Sequence, residues 1–156
     1  MKKIIASALL LFLGFGVYAQ EIGWMTLEQA EAQMKKTPEK PLFIDFYTDW
    51  CGWCKTMDRT TFQDPEVVSY INQNFIAVKF DAESKSDVKF RGKLYKFVRA
   101  KGGGNFKGVN SFAYFSLRGN LSYPAYAIMN GNGRLEKLML GYMPKEKFFE
   151  NLYKEN

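Results

Sequence analysis

The chain has 156 residues, a formal net charge of +6 at pH 7, and a composition that is nearly half hydrophobic, with 26 Phe, Tyr or Trp residues. These properties predict one globular domain with a packed core and argue against a disordered chain. The chain has no histidine and two cysteines. This excludes Cys/His zinc sites and acid–base chemistry by imidazole.

The first 19 residues have the pattern of an export signal. Two lysines precede an apolar run at 4–17, and Val17-Tyr18-Ala19 places small residues at the cleavage-determining positions. The run is shorter than the roughly 20 residues of a membrane span. We therefore expect cleavage before Gln20, no stable membrane span, and a periplasmic or secreted domain of residues 20–156, in a compartment where disulfides persist. An uncleaved anchor is the alternative.

The first predicted elements are a helix and a buried strand. Thr26 and Gln29 form a capping-box pattern before an amphipathic stretch at 27–36. The apolar run at 42–47 is typical of a central strand buried on both faces. The elements predicted after it are a helix from the cysteine pair to about Phe62, a helix capped by Asp64 with Pro65 at its first position, and a strand at 75–80.

Residues 84–110 differ from the rest of the chain. They contain eight basic residues against one acid, Asp87, and a Gly102-Gly103-Gly104 run. Aromatics alternate with lysines, as in proteins that bind single-stranded nucleic acid, but export argues against a nucleic-acid partner. We interpret this segment as a solvated basic insert. An acidic protein partner or a membrane surface is the functional alternative.

The C-terminal third returns to a regular alternation of elements. The predicted order of helix, strand, helix, helix, strand, insert, helix, strand, strand and helix indicates an α/β domain without internal repeats. The elements predicted after the insert are a short helix at 111–117, strands at 124–129 and 134–140 joined by a hairpin turn at 130–133, and a helix opened by Pro144.

Cys51 and Cys54 form a C-x-x-C motif directly after the apolar strand and at the start of a helix. This placement is the signature of a redox thiol pair. A thiolate attacks a disulfide, and the electropositive N-terminus of a helix favours the thiolate. We therefore predict Cys51 as the nucleophile and Cys54, one turn on, as the resolving thiol. The alternative, a structural disulfide, would close a loop too short to add much stability.

Asp45 is a carboxylate within the apolar strand. Burial would raise its pKa, and a carboxylate of raised pKa can accept the proton of Cys54 as that thiol attacks. The alternative is an acid neutralised by Lys79 on the neighbouring strand, without a catalytic part. Lys79 is expected to tune Asp45 in either case.

The element order and the stretch 43–55, FIDFYTDWCGWCK, resemble the thioredoxin superfamily. The stretch 61–67, TFQDPEV, is similar to exported thioredoxin-like proteins related to the C-terminal domain of the periplasmic disulfide reductase DsbD. The resemblance is strongest over 40–83, extends in pattern over 121–153, and is absent from 84–110. It implies a thioredoxin fold, in which helices flank a central mixed β-sheet, with the basic insert placed before the cis-proline strand.

The resemblance also implies a substrate site around the cysteines. Pro124 occupies the position of the cis-proline, and the backbone of Tyr123 would pair with an extended substrate as in strand addition; a trans bond would make Tyr123-Pro124 a plain strand entry. We expect Trp50 to pack and shape the site and Trp53 to be exposed toward a partner. The implied substrate-binding residues are Trp50, Gly52, Trp53, Tyr123 and Pro124.

Together, the motif and the resemblance predict a thiol–disulfide oxidoreductase that reduces or exchanges disulfides of exported proteins. The resemblance places the proton-relaying acid at Asp45. The expected partners are protein disulfides and a redox partner protein, with no organic cofactor, metal or nucleic acid. Gly-Trp stands between the cysteines where reducing members often carry Gly-Pro. A disulfide oxidase or isomerase, and a non-catalytic binding module, therefore stay as alternatives.

Overall fold

The computed structural model describes residues 20–101 and 107–154. The predicted export signal at 1–19 and the Gly102-Gly103-Gly104 run lie outside the described residues. The strands are β1 (Leu42–Tyr47), β2 (Ile76–Asp81), β3 (Val88–Phe90), β4 (Lys93–Tyr95), β5 (Phe97–Arg99), β6 (Gly108–Asn110), β7 (Ala125–Met129) and β8 (Leu135–Leu140).

The helices agree with the sequence pattern except after the cysteine pair. There we predicted one helix to about Phe62, but the helix ends at Arg59 because the backbone of Thr60 leaves helical geometry (φ −120°, ψ −87°). A turn of 3-10 helix, Thr61–Gln63, follows. The helices are α1 (Leu27–Met34), α2 (Gly52–Arg59), α3 (Pro65–Asn74), α4 (Ser111–Ser116) and α5 (Lys145–Tyr153).

Local capping explains where α1 and α3 begin. The hydroxyl of Thr26 accepts from Gln29 N, and the Gln29 side chain accepts from Thr26 N, which confirms the predicted capping box. Asp64 caps α3 by accepting hydrogen bonds from the backbone N–H groups of Glu66 and Val67.

A four-stranded mixed sheet in the order β2-β1-β7-β8 forms the centre of the domain. Strand β1 pairs in parallel with β2 and antiparallel with β7, and β8 pairs antiparallel with β7. The five residues of β1 at 42–46 are buried, as the continuous apolar run predicted, because packed layers cover both faces of this strand. The predicted α/β class with a central mixed sheet flanked by helices is confirmed.

Two apolar layers cover the two faces of this sheet. One layer joins buried residues of α1, α4 and the segment after β2 with Leu42, Ile44 and Phe46 of β1. The other joins buried residues of α2, α3 and α5 with Phe43. Successive residues of β1 thus enter opposite cores, as strand geometry requires.

The prediction of a solvated insert at 84–110 is wrong for the described part of that segment. Strands β3 and β4 form one antiparallel pair, and β5 and β6 form another. Val88 and Phe90 enter the core because the alternation of β3 directs them inward, and Val109 of β6, a strand buried throughout, joins them. The lysines of this segment are exposed.

Across residues 20–101 and 107–154, none of the helices combines the length and apolar character needed to cross a bilayer.

Candidate active site

Cys51 and Cys54 form a disulfide at the beginning of α2, with their Cα atoms 5.3 Å apart. Cys51 is the N-cap residue of the helix, and its Sγ accepts a hydrogen bond from Cys54 N at 3.1 Å. Little of the surface of this pair is accessible to solvent, since Cys51 is 4% and Cys54 is 3% exposed. The structure therefore places one sulfur at the electropositive helix terminus, where the sequence predicted the nucleophile.

The turn after β1 sets the position of this disulfide. Cys51 N donates to Thr48 O at 3.1 Å, so the chain reverses direction before α2 begins. Gly52 follows as the first helical residue, and a Cβ built on it would meet no heavy atom within 4 Å. The surface beside the disulfide is consequently open at Gly52.

Asp45 is buried under the sheet face that carries α2, with 2% of its surface exposed. Burial raises its pKa to about 7, although the ammonium of Lys79, 3.2 Å from Oδ2, opposes this rise. The carboxylate of Asp58 adds to the rise. Within the described residues, Asp45 Oδ1 has no hydrogen-bond partner. A carboxyl group with this pKa takes up and releases a proton near pH 7.

Lys79 links Asp45 to the helix of the cysteines. It lies opposite Asp45 in the β1–β2 register, and its ammonium also pairs with Asp58 of α2. Burial by itself would lower the pKa of Lys79, but the carboxylates of Asp45 and Asp58 outweigh burial and raise it. The ammonium also lies 5.1 Å from the ring centroid of Trp24. The predicted pairing is therefore present, and it does not cancel the rise in the pKa of Asp45.

Asp58 and Tyr126 were not singled out by the sequence reasoning. Asp58 lies four residues after Cys54, and this spacing, which places two side chains on one helix face, could have indicated it. Tyr126 lies directly opposite Asp45 in the β1–β7 register, and its buried hydroxyl has no partner among the described residues. Burial raises the pKa of Tyr126. No sequence signal relates Tyr126 to Asp45, because the register between distant strands is a tertiary property.

Aromatic side chains stand on either side of the disulfide. Trp53 is 61% exposed, as predicted, and its ring centroid lies 5.2 Å from that of Tyr142. Trp50 is 64% exposed, so the prediction of a packing residue is wrong. Its single described ring contact is an edge-on approach to Tyr123 at 6.1 Å, which leaves most of the indole uncovered.

The bond between Tyr123 and Pro124 is cis, as the resemblance implies. Pro124 is buried at the entry of β7, and its carbonyl accepts from Gly141 N at 2.8 Å. Burial, together with the carboxylates of Glu83 and Asp81, raises the pKa of Tyr123 to about 12. The phenol of Tyr123 therefore stays protonated in the physiological pH range, beside Trp50.

Within residues 20–101 and 107–154, no three His, Cys, Asp or Glu side chains come together in a way that could hold a metal ion. The disulfide-bonded pair of Cys51 and Cys54 can exchange with other thiols and disulfides.

A family model described as "Thioredox_DsbH: Protein of unknown function, DUF255" matches residues 15–106, which is more than half of the chain. The chain belongs to this family. Its described fold and its family both place it in the thioredoxin superfamily, which confirms the resemblance.

Curated proteins resemble the chain over part of its length. Spermatogenesis-associated protein 20 of Rattus norvegicus is 32% identical over 98 residues, which cover 62% of this chain and 12% of that protein. Thiol:disulfide interchange protein DsbD of Vibrio vulnificus is 38% identical over 53 residues, which cover 34% of this chain and 9% of that protein. The chain thus spans about a tenth of the length of the curated relatives it matches.

Solved structures of low sequence identity share the fold. A DsbH oxidoreductase superimposes with a TM-score of 0.57 at 16% identity, covering 94% of this chain and 92% of the other. The reduced C-terminal domain of DsbD from Neisseria meningitidis gives a TM-score of 0.51 at 24% identity, covering 80% and 89%. A thioredoxin from Thermus thermophilus gives 0.58 at 15%, covering 85% of each chain. The family, the fold and the disulfide-bonded C-x-x-C support thiol–disulfide redox chemistry.

Proposed function

We propose that this protein is a thiol–disulfide oxidoreductase of the cell envelope that reduces or exchanges disulfides of exported proteins. The observation that carries the proposal is the Cys51–Cys54 disulfide at the N-terminus of α2, where Cys51 Sγ accepts the Cys54 N–H. The same N–H and the positive end of the helix dipole would stabilise Cys51 as a thiolate after reduction.

The first step is attack by Cys51. In the reduced protein, the Cys51 thiolate forms a bond to one sulfur of a substrate disulfide, and the second substrate sulfur leaves as a thiolate. The product is a mixed disulfide between Cys51 and the substrate. The exposed rings of Trp50 and Trp53 on either side of Cys51 would contact the substrate chain during this step.

The second step releases the substrate. Cys54 attacks Cys51 Sγ, the mixed disulfide breaks, and the substrate leaves as a second thiolate while the Cys51–Cys54 disulfide forms. Cys54 must lose its proton to attack. Asp45, buried on the face that α2 covers and with its pKa raised to about 7, would take that proton and pass it to solvent. In this role the ion pairs that Lys79 forms with Asp45 and Asp58 adjust the pKa of Asp45.

Each turnover oxidises the cysteine pair, so a reducing role requires a second dithiol protein that donates two electrons and two protons. The signal pattern at 1–19 supports an exported location for this protein, and the stretch shared with DsbD supports a redox partner in that compartment. Equilibration of the Cys51–Cys54 pair with glutathione gives its reduction potential, which indicates the direction of electron flow. A potential near or above about −180 mV would favour an oxidase or isomerase over a reductase.

Trapping tests the assigned order of the two thiols. In Cys54→Ala, the first step proceeds and the second cannot, so we expect covalent substrate adducts on Cys51 that mass spectrometry identifies. Cys51→Ser should lose insulin-reducing activity and form no adducts. Adducts that form equally in Cys51→Ser, or full activity in that variant, would contradict the proposal and favour a binding module.

A further inference from the structure

The segment that the redox site leaves unused forms a distinct surface. It consists of the exposed side chains of residues 85–101 and 107–118, which include the β3–β4 and β5–β6 pairs and α4, and we call it the basic hairpin face. Its exposed apolar members are Leu94, Val98, Tyr114 and Phe115, and its exposed cations are Lys85, Lys89, Arg91, Lys93, Lys96, Arg99, Lys101, Lys107 and Arg118.

This surface is held firmly by the domain beneath it. Asn110, fully buried, donates from Nδ2 to the carbonyls of Ser84 and Ser86, and its backbone N–H donates to Ala82 O. The backbone of Lys96 is bonded twice to Ser111, once through the hydroxyl and once through the N–H. The hairpins therefore present a fixed arrangement of side chains to solvent.

Charge is distributed very unevenly between this face and the rest of the chain. Residues 85–118 contain nine Lys or Arg and one Asp, whereas the other residues from 20 onward contain eleven Lys or Arg and fifteen Asp or Glu. The acid of the segment, Asp87, pairs with Lys96 at 3.5 Å, and within the described ranges the other eight cations form no ion pair. With nine cations and one acid, residues 85–118 carry a formal charge of +8, which favours an anionic partner.

Apolar side chains are placed among these cations. Leu94 is exposed and lies directly across the strand pair from Lys89. On the opposite side of β4, the Lys93 ammonium lies 4.6 Å from the ring centroid of Phe115, which contacts Tyr114 edge-on at 5.7 Å. Aliphatic and aromatic groups among lysines and arginines are typical of surfaces that lie in the interface of an anionic bilayer, with the apolar groups inserted and the cations at headgroup level.

We propose that the basic hairpin face docks the protein on a membrane surface that contains anionic phospholipids. Cations spread over two hairpins and a helix suit a laterally continuous layer of negative headgroups better than the few fixed acids of one protein partner. The exposed leucine, valine, tyrosine and phenylalanine then enter the interface, where they lose contact with water. This inference goes beyond the redox proposal and does not depend on it.

Sedimentation of the full chain with vesicles tests the charge contribution. We expect binding to phosphatidylcholine vesicles that contain phosphatidylglycerol, and weaker binding as salt screens the surface.

Each cation removed should weaken binding about five-fold, so a triple variant should lose about a hundred-fold. The test variant is Lys89→Gln, Arg99→Gln and Lys101→Gln. The control, with the same charge change on α2, α5 and the residue after α5, is Arg59→Gln, Lys147→Gln and Lys154→Gln.

A pair of leucine variants tests insertion. Leu94→Ser should weaken binding several-fold because it removes an inserted side chain. Leu140→Ser, which changes an exposed leucine at the sheet edge formed by β8, should leave binding unchanged. Unfolding midpoints of all variants establish that each is folded. Residues 1–19 are identical in all of them, so differences among variants report on the face.

Three results would overturn the proposal. One is equal binding to vesicles with and without phosphatidylglycerol. Another is equal loss of binding in the test and control triple variants, which would reduce the effect to net charge. A third is binding to polyglutamate without binding to anionic vesicles, which would assign the face to an acidic protein instead.

Discussion

At the scale of single residues, Asp45 shows how burial and ion pairing compete. The partner ammonium of Lys79 is 3.2 Å away, yet the pKa of Asp45 rises to about 7. The reason is that Lys79 divides its charge between two carboxylates, Asp45 and Asp58, and is itself partly exposed. The ion pair with Lys79 therefore offsets only part of the free-energy cost of removing the Asp45 carboxylate from water.

The pH dependence of stability follows from this raised pKa. An unfolded Asp45 ionises at its ordinary pKa of 3.8, whereas the folded one ionises at about 7. Between these values the folded state binds more protons, so Asp45 lowers stability as pH rises from about 4 to about 7. Asp45→Asn removes that loss. We expect the free energy of unfolding of the oxidised protein to rise at pH 8, by about 4 kcal/mol, and to change little near pH 4.

Urea unfolding of the oxidised protein at both pH values measures this effect. Asp58→Asn is the matched control, because it removes the other carboxylate that contacts Lys79. Asp58 is partly exposed, so its replacement should not stabilise the protein at pH 8. If Asp45→Asn were destabilising at pH 8, the buried ion pair would dominate over burial, and the proton-relay role would lose its physical basis.

At the scale of secondary-structure elements, the β5–β6 pair depends on a close approach between the backbone of Gly108 and the backbone of β5. Gly108 has a φ of +140°, and a Cβ at this position would lie 2.2 Å from the carbonyl oxygen of Val98 and 2.9 Å from the Cα of Arg99. Neither atom is the end of a flexible side chain. Glycine is thus required for the two strands to pair.

We expect Gly108→Ala to lower the free energy of unfolding by about 2 kcal/mol and to loosen the β5–β6 pair. Gly52→Ala is the control, since its added Cβ would meet no atom within 4 Å. Urea unfolding gives the stability, and amide hydrogen exchange of Val98 and Val109 reports the pairing. Equal exchange rates in Gly108→Ala and in the unaltered protein would show that the strands tolerate a side chain there.

At the scale of the whole molecule, one aromatic cluster ties together the layer that supports the redox site. Phe43 of β1 stacks on Tyr126 of β7 with ring centroids 5.8 Å apart, and it packs edge-on against Phe148 of α5, also at 5.8 Å. It further contacts Trp24 before α1 and Phe62 in the 3-10 turn. Segments from both ends of the chain therefore meet at one fully buried ring.

Phe43→Ala should lower the free energy of unfolding by about 4 kcal/mol, because the cavity would be lined by rings from several elements that cannot all move inward. Phe115→Ala, at an exposed position, should change it by less than about 0.5 kcal/mol. Chemical denaturation of the two variants gives the comparison. Similar losses for the two would indicate that the cluster is not the centre of the global core.

The sequence alone determined the features that depend on local spacing. The run at 42–47, the caps at Thr26 and Asp64, and the C-x-x-C at the start of α2 each depend on residues within one turn or strand of one another. Local backbone hydrogen bonds and side-chain periodicity act over the same short distances. The order of the elements outside residues 84–110 was therefore predictable, and the resemblance of the stretches 43–55 and 61–67 added the thioredoxin fold.

Only the tertiary structure decided which distant residues meet. Trp50 is exposed, and among the described residues the ring that contacts it, Tyr123, approaches edge-on from a segment 73 residues later in the chain. The link from Lys79 to Asp58 and the position of Tyr126 opposite Asp45 depend on strand register and helix docking. The hairpins of the basic insert formed because Val88, Phe90 and Val109 found an apolar surface on α1 and α4. Apolar burial depends on the surface that other elements supply, and local sequence does not contain that information.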